Sequence, residues 1–354
     1  MLILKYYSMD KGIRKTYIVK ESGYNRVEID QRSASFNISQ NATEHSTCIE
    51  NEKCEQQQRN TIFDEKVLYE TVQNYHNSFR RWKTDENCLQ RTPQCIIIGV
   101  KKCGTRELID FMAIHPNIVI KRKPSYEINY FLKPLESLKW YRSRMPCSYS
   151  DQITVTKSPL YFSNPFVPER LCMYNESLKM IVLVREPIQR LLSAVSFEYF
   201  KTKPKLMQDL SKLPPMDAAI VDHVTGSVNR LHLEVKLSTY DTAMQRYLKY
   251  FTRDQIMIIE TNELKNNPAK VLKEVEKFLG LKHVISENMF VFNIEKKHHC
   301  LKRQNGGMAC YGIDRGRTVQ KQLQNNTIQI LKRYFAKHNE NFFRLINKRF
   351  DWNY

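Results

Sequence analysis

Cys95-Ile-Ile-Ile-Gly-Val-Lys-Lys-Cys-Gly-Thr-Arg106 sets the architecture that we expect for most of the chain. Its first six residues form a short apolar run rich in β-branched side chains, which predicts a buried strand. Residues 101–105 follow as a glycine-bearing loop, and residues 106–113 have the pattern of a helix that ends before His115-Pro116. A strand, a loop and a helix in this order are typical of a parallel sheet.

The same alternation continues towards the C-terminus. We predict strands at 153–156, 180–184 and 255–260, and helices at 187–200, 240–250, 269–279 and 318–345. Strands that alternate with helices predict an α/β fold with a central parallel sheet flanked by helices, here over residues 91–354. Residues 1–90 are polar with weak periodicity, and we interpret them as a partly disordered extension or stem in which 62–83 could form a helix.

The composition restricts the class of partner and the compartment. Lys and Arg number 56 against 37 Asp and Glu, and the formal net charge of +19 favours a polyanionic partner. No nucleic-acid recognition motif accompanies this charge.

Nine Cys without a C-x-x-C pair argue against a zinc ribbon or finger. Sequons at Asn37, Asn41, Asn175 and Asn325 favour a secretory compartment, although the apolar start is too short to span a membrane.

The loop after the first strand has the chemistry of an anion site. Gly99 and Gly104 have the glycine spacing of a P-loop, but no Lys precedes Thr105, and the lysines lie inside the loop. Backbone N–H groups and a helix N-terminus can hold a phosphate there. We expect no acidic residue to close a strand as a partner for Mg²⁺, which disfavours a nucleotide kinase. The alternative interpretation is a structural turn between strand and helix.

Several blocks in order resemble the heparan sulfate glucosamine 3-O-sulfotransferases. They are Ile96 to Arg106, His115-Pro116, Glu127-Ile-Asn-Tyr-Phe131, Trp140-Tyr141, Met145-Pro146, Thr156-Lys-Ser-Pro-Leu-Tyr-Phe162, Val184-Arg-Glu-Pro-Ile-Gln-Arg-Leu-Leu-Ser193, Phe292-Asn293, Cys300-Leu301, Cys310 and Arg315-Gly-Arg317. The resemblance covers roughly residues 93–350. It implies a P-loop-like sulfotransferase fold that uses 3′-phosphoadenosine 5′-phosphosulfate (PAPS) as the sulfo donor and needs no metal for the transfer.

The resemblance also implies a donor site. Lys102 would stabilise the charge that develops on the leaving phosphate. Arg185 and Ser193 resemble the family's 3′-phosphate site, although an Arg185–Glu186 surface pair and a helix serine bonded to its own backbone are the alternative. The residues implied for PAPS binding are Lys101, Lys102, Cys103, Gly104, Thr105, Arg106, Arg185, Ser193, Arg315, Gly316, Arg317 and Thr318. Cys103 stands where the family usually has glycine, and its Cβ is expected to restrict the loop.

The acceptor side carries the implied catalytic base. Glu127 matches the base that would take a proton from a sugar hydroxyl, and Lys157 matches a lysine near sulfate and acceptor. Lys123 and Asn129, with Lys157, are implied to contact the substrate. Asn129 stands where the family has a histidine, and Leu132 stands where it has an aspartate.

The resemblance finally implies a disulfide, a compartment and an acceptor. Cys300 and Cys310 match the family's disulfide. The implied acceptor is heparan sulfate or a heparin-like glycan, and no nucleic acid is expected as a partner. The implied compartment is the Golgi lumen. A membrane contact is expected only through an anchor that this sequence does not display. An N-sulfotransferase-like enzyme remains an alternative. So does a catalytically weak heparin-binding protein on the same fold, which the changes at Asn129 and Leu132 motivate.

Overall fold

The structure is a computed structural model that describes residues 87–121, 127–133, 135–202, 217–222, 224–295, 298–302, 307–310 and 323–352, the side chains of 198–202 excepted. The predicted extension up to residue 86, with its helix at 62–83, lies outside these ranges. Within them, no helix combines the length and the apolar character needed to cross a bilayer.

The strands are short and alternate with helices. In chain order they are β1 (Leu89–Gln90), β2 (Cys95–Gly99), β3 (Ile118–Ile120), β4 (Cys147–Ser148), β5 (Ile153–Lys157), β6 (Lys179–Val184), β7 (Val221–Asp222), β8 (Ser227–Val228), β9 (Ile256–Glu260), β10 (Phe290–Asn293), β11 (His298–Lys302) and β12 (Met308–Ala309). The helices are α1 (Thr105–Met112), α2 (Leu138–Ser143), α3 (Val167–Tyr174), α4 (Pro187–Thr202), α5 (Asp217–Ile220), α6 (Leu233–Ser238), α7 (Tyr240–Tyr247), α8 (Thr261–Asn266), α9 (Pro268–Leu279) and α10 (Asn325–Ile346).

Five of these strands form the central sheet. Its order is β3-β5-β2-β6-β9, and all four pairings are parallel. The five residues of β2 are buried, and so are five of the six in β6, as expected for strands covered on both faces. The predicted α/β fold with a central parallel sheet is confirmed, and the carboxyl ends of all five strands meet at one edge.

Several strands were not expected from the sequence, among them those of the two-stranded sheets β1-β4 and β7-β8. The edge strand β3 is only three residues long, and no strand was predicted there. A separate antiparallel sheet joins β10, β11 and β12 after the last strand of the central sheet. The other predicted strands and helices are present, with ends displaced by one to a few residues, and α10 begins at Asn325 within the segment predicted from 318.

Gly99, at the end of β2, is required by packing. A Cβ atom on this residue would lie 2.6 Å from the Cβ of Phe162, closer than side chains approach one another. The Phe162 amide donates to the Ile98 carbonyl at 2.9 Å, so the chain after β5 crosses directly over β2. The first glycine of the P-loop-like spacing therefore allows two segments to approach.

Two disulfides are present in the described part of the chain. Cys300 and Cys310 are joined, as the resemblance implied, and this bond links β11 to the residue after β12. A second bond joins Cys88 to Cys147, 59 residues apart, and holds the start of the described chain beside β4. Cys95 and Cys103 are buried free thiols, and Cys172 is partly exposed.

Candidate active site

The loop between β2 and α1 closes over the carboxyl end of the sheet. The Val100 amide donates to the Leu183 carbonyl of β6 at 2.9 Å, and the Cys103 amide donates to the Val100 carbonyl at 3.1 Å. Lys102 and Gly104 adopt left-handed backbone conformations, with φ of 77° and 86°. Successive turns of this kind point amide N–H groups into a concave surface beside the N-terminus of α1, which favours an anion.

The Cβ of Cys103 does not conflict with the conformation of the loop. The left-handed conformations fall on its two neighbours, so this position does not require glycine. The side chain is buried with Sγ 3.9 Å from the Tyr240 hydroxyl, and burial raises the pKa of the thiol to about 11. The Thr261 hydroxyl lies 3.0 Å from the Cys103 carbonyl and bonds it. Cys103 is therefore a packing residue, and any contact it makes with a donor passes through its backbone.

The two loop lysines point towards α4 and α6. The ammonium of Lys101 lies 3.6 Å from a carboxylate oxygen of Glu234. The ammonium of Lys102 lies 4.0 Å from the ring centroid of Phe197, at the distance of a cation–π contact. Both lysines are half-buried, so their charges act in a medium less polar than bulk water. Arg106, at the start of α1, instead pairs with Asp110 at 2.8 Å.

A fully buried arginine supports this loop, and we did not single it out from the sequence. Arg190 of α4 donates to the Lys101 carbonyl at 3.3 Å and to the Ser238 hydroxyl at 2.7 Å. It also contacts both the carbonyl, at 2.5 Å, and the carboxylate, at 3.0 Å, of Glu234. The Arg190 guanidinium joins the loop between β2 and α1 to α6. The position of this loop therefore depends on how the loop, α4 and α6 pack together. Arginine side chains are mostly exposed, so an arginine in an amphipathic helix gives no sequence signal that it is buried and supports a loop.

Glu127 and Lys157 meet at the same edge of the sheet. Lys157 is the last residue of β5, and its ammonium donates to Oε1 of Glu127. The Lys157 side chain is buried, whereas about a third of the Glu127 side chain is exposed. Burial lowers the pKa of Lys157, against the opposing attraction of Glu127. The structure therefore brings together two residues that lie 30 positions apart in the sequence.

Asn129 and Leu132, the two departures from the family pattern, differ in environment. Asn129 adopts a left-handed conformation with φ of 57°. Its Oδ1 is buried and finds no hydrogen-bond partner within the described structure, so it retains the capacity to accept a hydrogen. Leu132 packs against the hydrophobic core, and its carbonyl accepts from Arg170 at 3.0 Å. Leucine at this position therefore packs as a core residue.

Arg185 and Ser193 remain available for a ligand. Glu186 accepts the amide N–H groups of Ile188 at 2.8 Å and Gln189 at 2.6 Å, and so caps α4. The alternative Arg185–Glu186 pair does not form. The half-buried side chains of Arg185 and Ser193 make no hydrogen bond or ion pair with another described residue, and Ser193 does not bond its own helix backbone.

The expectation that no acidic residue closes a strand was wrong. Glu260 is the last residue of β9, and its carboxylate caps α8 by accepting the Asn262 and Glu263 amides at 2.5 and 3.2 Å. Burial raises the pKa of Glu260, against these hydrogen bonds and the attraction of Arg185. The sequence signal was present, because the strand predicted at 255–260 ends on this glutamate.

Five predicted site residues cannot be compared with the structure. Lys123, Arg315, Gly316, Arg317 and Thr318 lie outside the described residues. Their roles in acceptor and donor binding stay predictions. The described members of the predicted donor and acceptor sets lie on the segments that follow β2, β3 and β6, together with Lys157, the last residue of β5.

Known proteins with similar sequences or folds support one family. The family model described as a sulfotransferase domain matches residues 92–349. Heparan sulfate glucosamine 3-O-sulfotransferase 5 of Mus musculus is 34% identical over 269 residues, which cover 75% of this chain and 75% of the relative. Heparan sulfate glucosamine 3-O-sulfotransferase 6 of Homo sapiens is 32% identical over 266 residues, covering 74% of each. A crystal structure of a sulfotransferase from Alicyclobacillus acidocaldarius has a TM-score of 0.54 at 17% identity, covering 73% of this chain and 98% of that chain, and shares the fold.

Proposed function

Because the chain belongs to the sulfotransferase domain family, with the heparan sulfate glucosamine 3-O-sulfotransferases among its relatives, we propose that it transfers a sulfo group from PAPS to the glucosamine 3-hydroxyl of heparan sulfate. The observation that carries the proposal is the contact of Glu127 with Lys157 at the sheet edge that also carries the loop of Lys101 and Lys102. A carboxylate and several cations at one edge suit the removal of a proton beside an anionic donor.

The residues in and beside the loop between β2 and α1 fit an anionic donor. Gly104 leads in a left-handed conformation into the amide N–H groups of α1, and Lys101 and Lys102 bring two positive charges to the same loop. Arg185, with no described ion-pair partner, has a planar fork that suits a phosphate. When bound, PAPS supplies an activated sulfo group on a phosphate leaving group. We propose that Lys102 stabilises the negative charge at this position, with Thr105, Arg106 and the Cys103 backbone in the same set.

Glu127 is proposed as the general base. Carboxylates are ionised at neutral pH, so a base of this type can accept the proton of a sugar hydroxyl within hydrogen-bond reach. The hydrogen bond from Lys157 orients the Glu127 carboxylate from its buried side, and its exposed third leaves a face for the acceptor. The free Oδ1 of Asn129, two residues away, can accept a hydrogen bond from an acceptor hydroxyl or amine. This atom would stand in for the histidine of the family.

The remaining assignments are proposals that follow from the family. Lys123 would contact the glycan, and Arg315, Gly316, Arg317 and Thr318 would complete donor binding. We propose that residues 91–354 form the sulfotransferase domain, that residues 1–90 form a stem, and that the protein acts in the Golgi lumen without a metal requirement for the transfer. The two disulfides and the sequon at Asn175 agree with an oxidising secretory compartment.

The test is transfer of ³⁵S-labelled sulfo group from PAPS to heparan sulfate, followed by disaccharide analysis. We expect label at the 3-hydroxyl for the wild type and a loss of about 100-fold or more for Glu127→Gln, because a positioned base contributes about 10²–10⁴-fold. Glu274→Gln removes an exposed carboxylate on α9 and is the matched control, expected to retain full activity.

The rival heparin-binding protein is separated by the same experiment. The changes at Asn129 and Leu132 favour it, because both alter the surroundings of the base. Wild-type protein that binds heparin but incorporates no label would overturn the proposed reaction. Label found on glucosamine nitrogen would instead support an N-sulfotransferase.

A further inference from the structure

A cavity of about 880 Å³ lies between one face of α10 and the C-terminal segment that follows it. The chain reverses after α10 at Asn347, which is left-handed with φ of 48°, and residues 349–352 return beside the helix. The charged residues that line the cavity are Lys332, Lys337, Glu340, Arg349 and Asp351. Its volume falls in the range of small-ligand sites, roughly 300–1,000 Å³.

Two buried hydrogen-bond donors line this cavity without partners. Asn339 is 4% exposed and Trp352 is 8% exposed. Neither Nδ2 of Asn339 nor Nε1 of Trp352 has an acceptor within the described structure. A buried donor left unpaired is destabilising. Two such donors in one cavity point to an occupant that offers acceptor oxygens.

The charges of the lining favour an anionic occupant. Three cations and two carboxylates leave a formal charge of +1. Arg349 and Glu340 neutralise each other through two hydrogen bonds of 2.8 and 2.6 Å. Lys332 and Lys337 form no ion pair with any residue that the structure describes, so their charges remain for a ligand. The amide N–H of Asn339, the indole N–H of Trp352 and the two lysines match the oxygens of a sulfate or carboxylate group.

Buried aromatic residues form one wall of the cavity. Phe350 and Trp352 stack with centroids 5.2 Å apart, and the Arg349 guanidinium lies 5.3 Å from the Phe343 ring centroid. Trp352 also packs on Tyr240 at 5.9 Å, and Tyr240 donates to the Arg185 carbonyl at 2.8 Å. The wall of the cavity is therefore connected through Tyr240 to the backbone of Arg185 in the proposed donor site.

We propose that this C-terminal cavity is a second binding site, which takes a sulfated or carboxylated sugar unit of an acidic polysaccharide. The choice of a saccharide over another anion rests on the proposed function, since the acceptor proposed above is such a chain. A unit held here would retain the polysaccharide during reaction at Glu127 and would not itself react. Its loss would weaken binding of the chain while the reacting groups stay in place.

The experiment titrates a fully sulfated heparin hexasaccharide into the purified chain without PAPS. A Trp82→Phe/Trp140→Phe background leaves Trp352 as the one tryptophan of the sequence, so that its emission can be followed. We expect the hexasaccharide to change this emission, and Lys332→Gln/Lys337→Gln to weaken binding about tenfold, because both charged contacts with the ligand are lost; tenfold corresponds to about 1.4 kcal/mol. Asn339→Leu should weaken it as well.

The control removes the same charge from another exposed helix. Lys273→Gln/Lys277→Gln on α9 is expected to change the affinity by less than about twofold, since neither lysine lines the cavity and exposed charges are screened. Equal affinity of the cavity variants and this control would overturn the proposal, as would a Trp352 emission that the hexasaccharide leaves unchanged. Inorganic sulfate that binds as tightly as the hexasaccharide would overturn the saccharide assignment.

These outcomes are separate from those of the transfer assay. Binding is measured without PAPS, so an inactive wild type would refute the proposed reaction and leave the cavity test readable. Conversely, cavity variants that bind the hexasaccharide normally would refute only the second site. If both proposals hold, Lys332→Gln/Lys337→Gln raises KM for long chains and leaves kcat unchanged.

Discussion

Replacing Glu234 with alanine deprives the fully buried guanidinium of Arg190 of its carboxylate partner. Both side chains are almost inaccessible to solvent, and Arg190 would keep only the carbonyls of Lys101 and Glu234 and the Ser238 hydroxyl. Removing one partner of a buried ion pair costs about 3–5 kcal/mol, because the other charge remains uncompensated. The longer contact of Glu234 with the half-buried Lys101, at 3.6 Å, is lost as well.

The assay is urea unfolding followed by tryptophan fluorescence, with thermal unfolding beside it. We expect Glu234→Ala to lower the free energy of unfolding by at least about 3 kcal/mol, because a buried charge is left unpaired. The midpoint should fall by about 6 °C or more, at about 2 °C per kcal/mol for a large domain. Glu274→Ala, on the exposed face of α9, should change stability by less than about 0.5 kcal/mol.

A double substitution separates the charge from the support of the loop. Arg190→Met/Glu234→Leu replaces the pair by apolar groups, which is often neutral or stabilising. The Lys101 carbonyl nevertheless loses its tie to α4, so affinity for the donor should fall in the stable double variant. Glu234→Ala with wild-type stability would refute the reasoning that Arg190 depends on this carboxylate.

Two further changes test other parts of the fold. Gly99→Ala places a methyl group 2.6 Å from Phe162 Cβ and should destabilise the protein by about 1–3 kcal/mol, measured by urea unfolding; an unchanged midpoint would contradict the packing role of this glycine. Burial raises the pKa of Glu260 above its ordinary value of 4.5. The contribution of Glu260 to the free energy of unfolding is therefore fully present below pH 4.5 and is lost as the pH rises through the pKa of the folded state. Glu260→Gln should therefore remove part of the decline in the free energy of unfolding above pH 4.5, measured by urea unfolding at several pH values. Parallel profiles for the variant and the wild type would contradict this role of Glu260.

The central sheet was predictable because its strands are continuous apolar runs. Residues 95–99 and 180–184 are buried on both faces, and no polar alternation obscures them. β3 was missed because three apolar residues between Asn117 and Lys121 give too short a signal. The antiparallel strands β10 to β12 mix polar and apolar residues at a sheet with partly exposed positions, so their pattern is weak.

The site was predictable only where local pattern or family resemblance named a residue. The resemblance brought Glu127 and Lys157 into one hypothesis, and the structure adds their contact. Arg190 was overlooked because its burial depends on Glu234 and Ser238, which lie 44 and 48 residues away. The free Oδ1 of Asn129 depends on a backbone conformation that no local sequence rule supplies.

The bond between Cys88 and Cys147 has a mechanical consequence. A pulling force on the chain upstream of residue 87 reaches Cys88 first and passes through a covalent bond to Cys147, before the hydrogen bonds of β2 bear any load. The segment between the two cysteines, which contains β2 and the loop that follows it, is therefore shielded from tension on the N-terminal side. If that side tethers the protein to a surface, the tether can be stretched while the geometry of the β2 loop stays at rest.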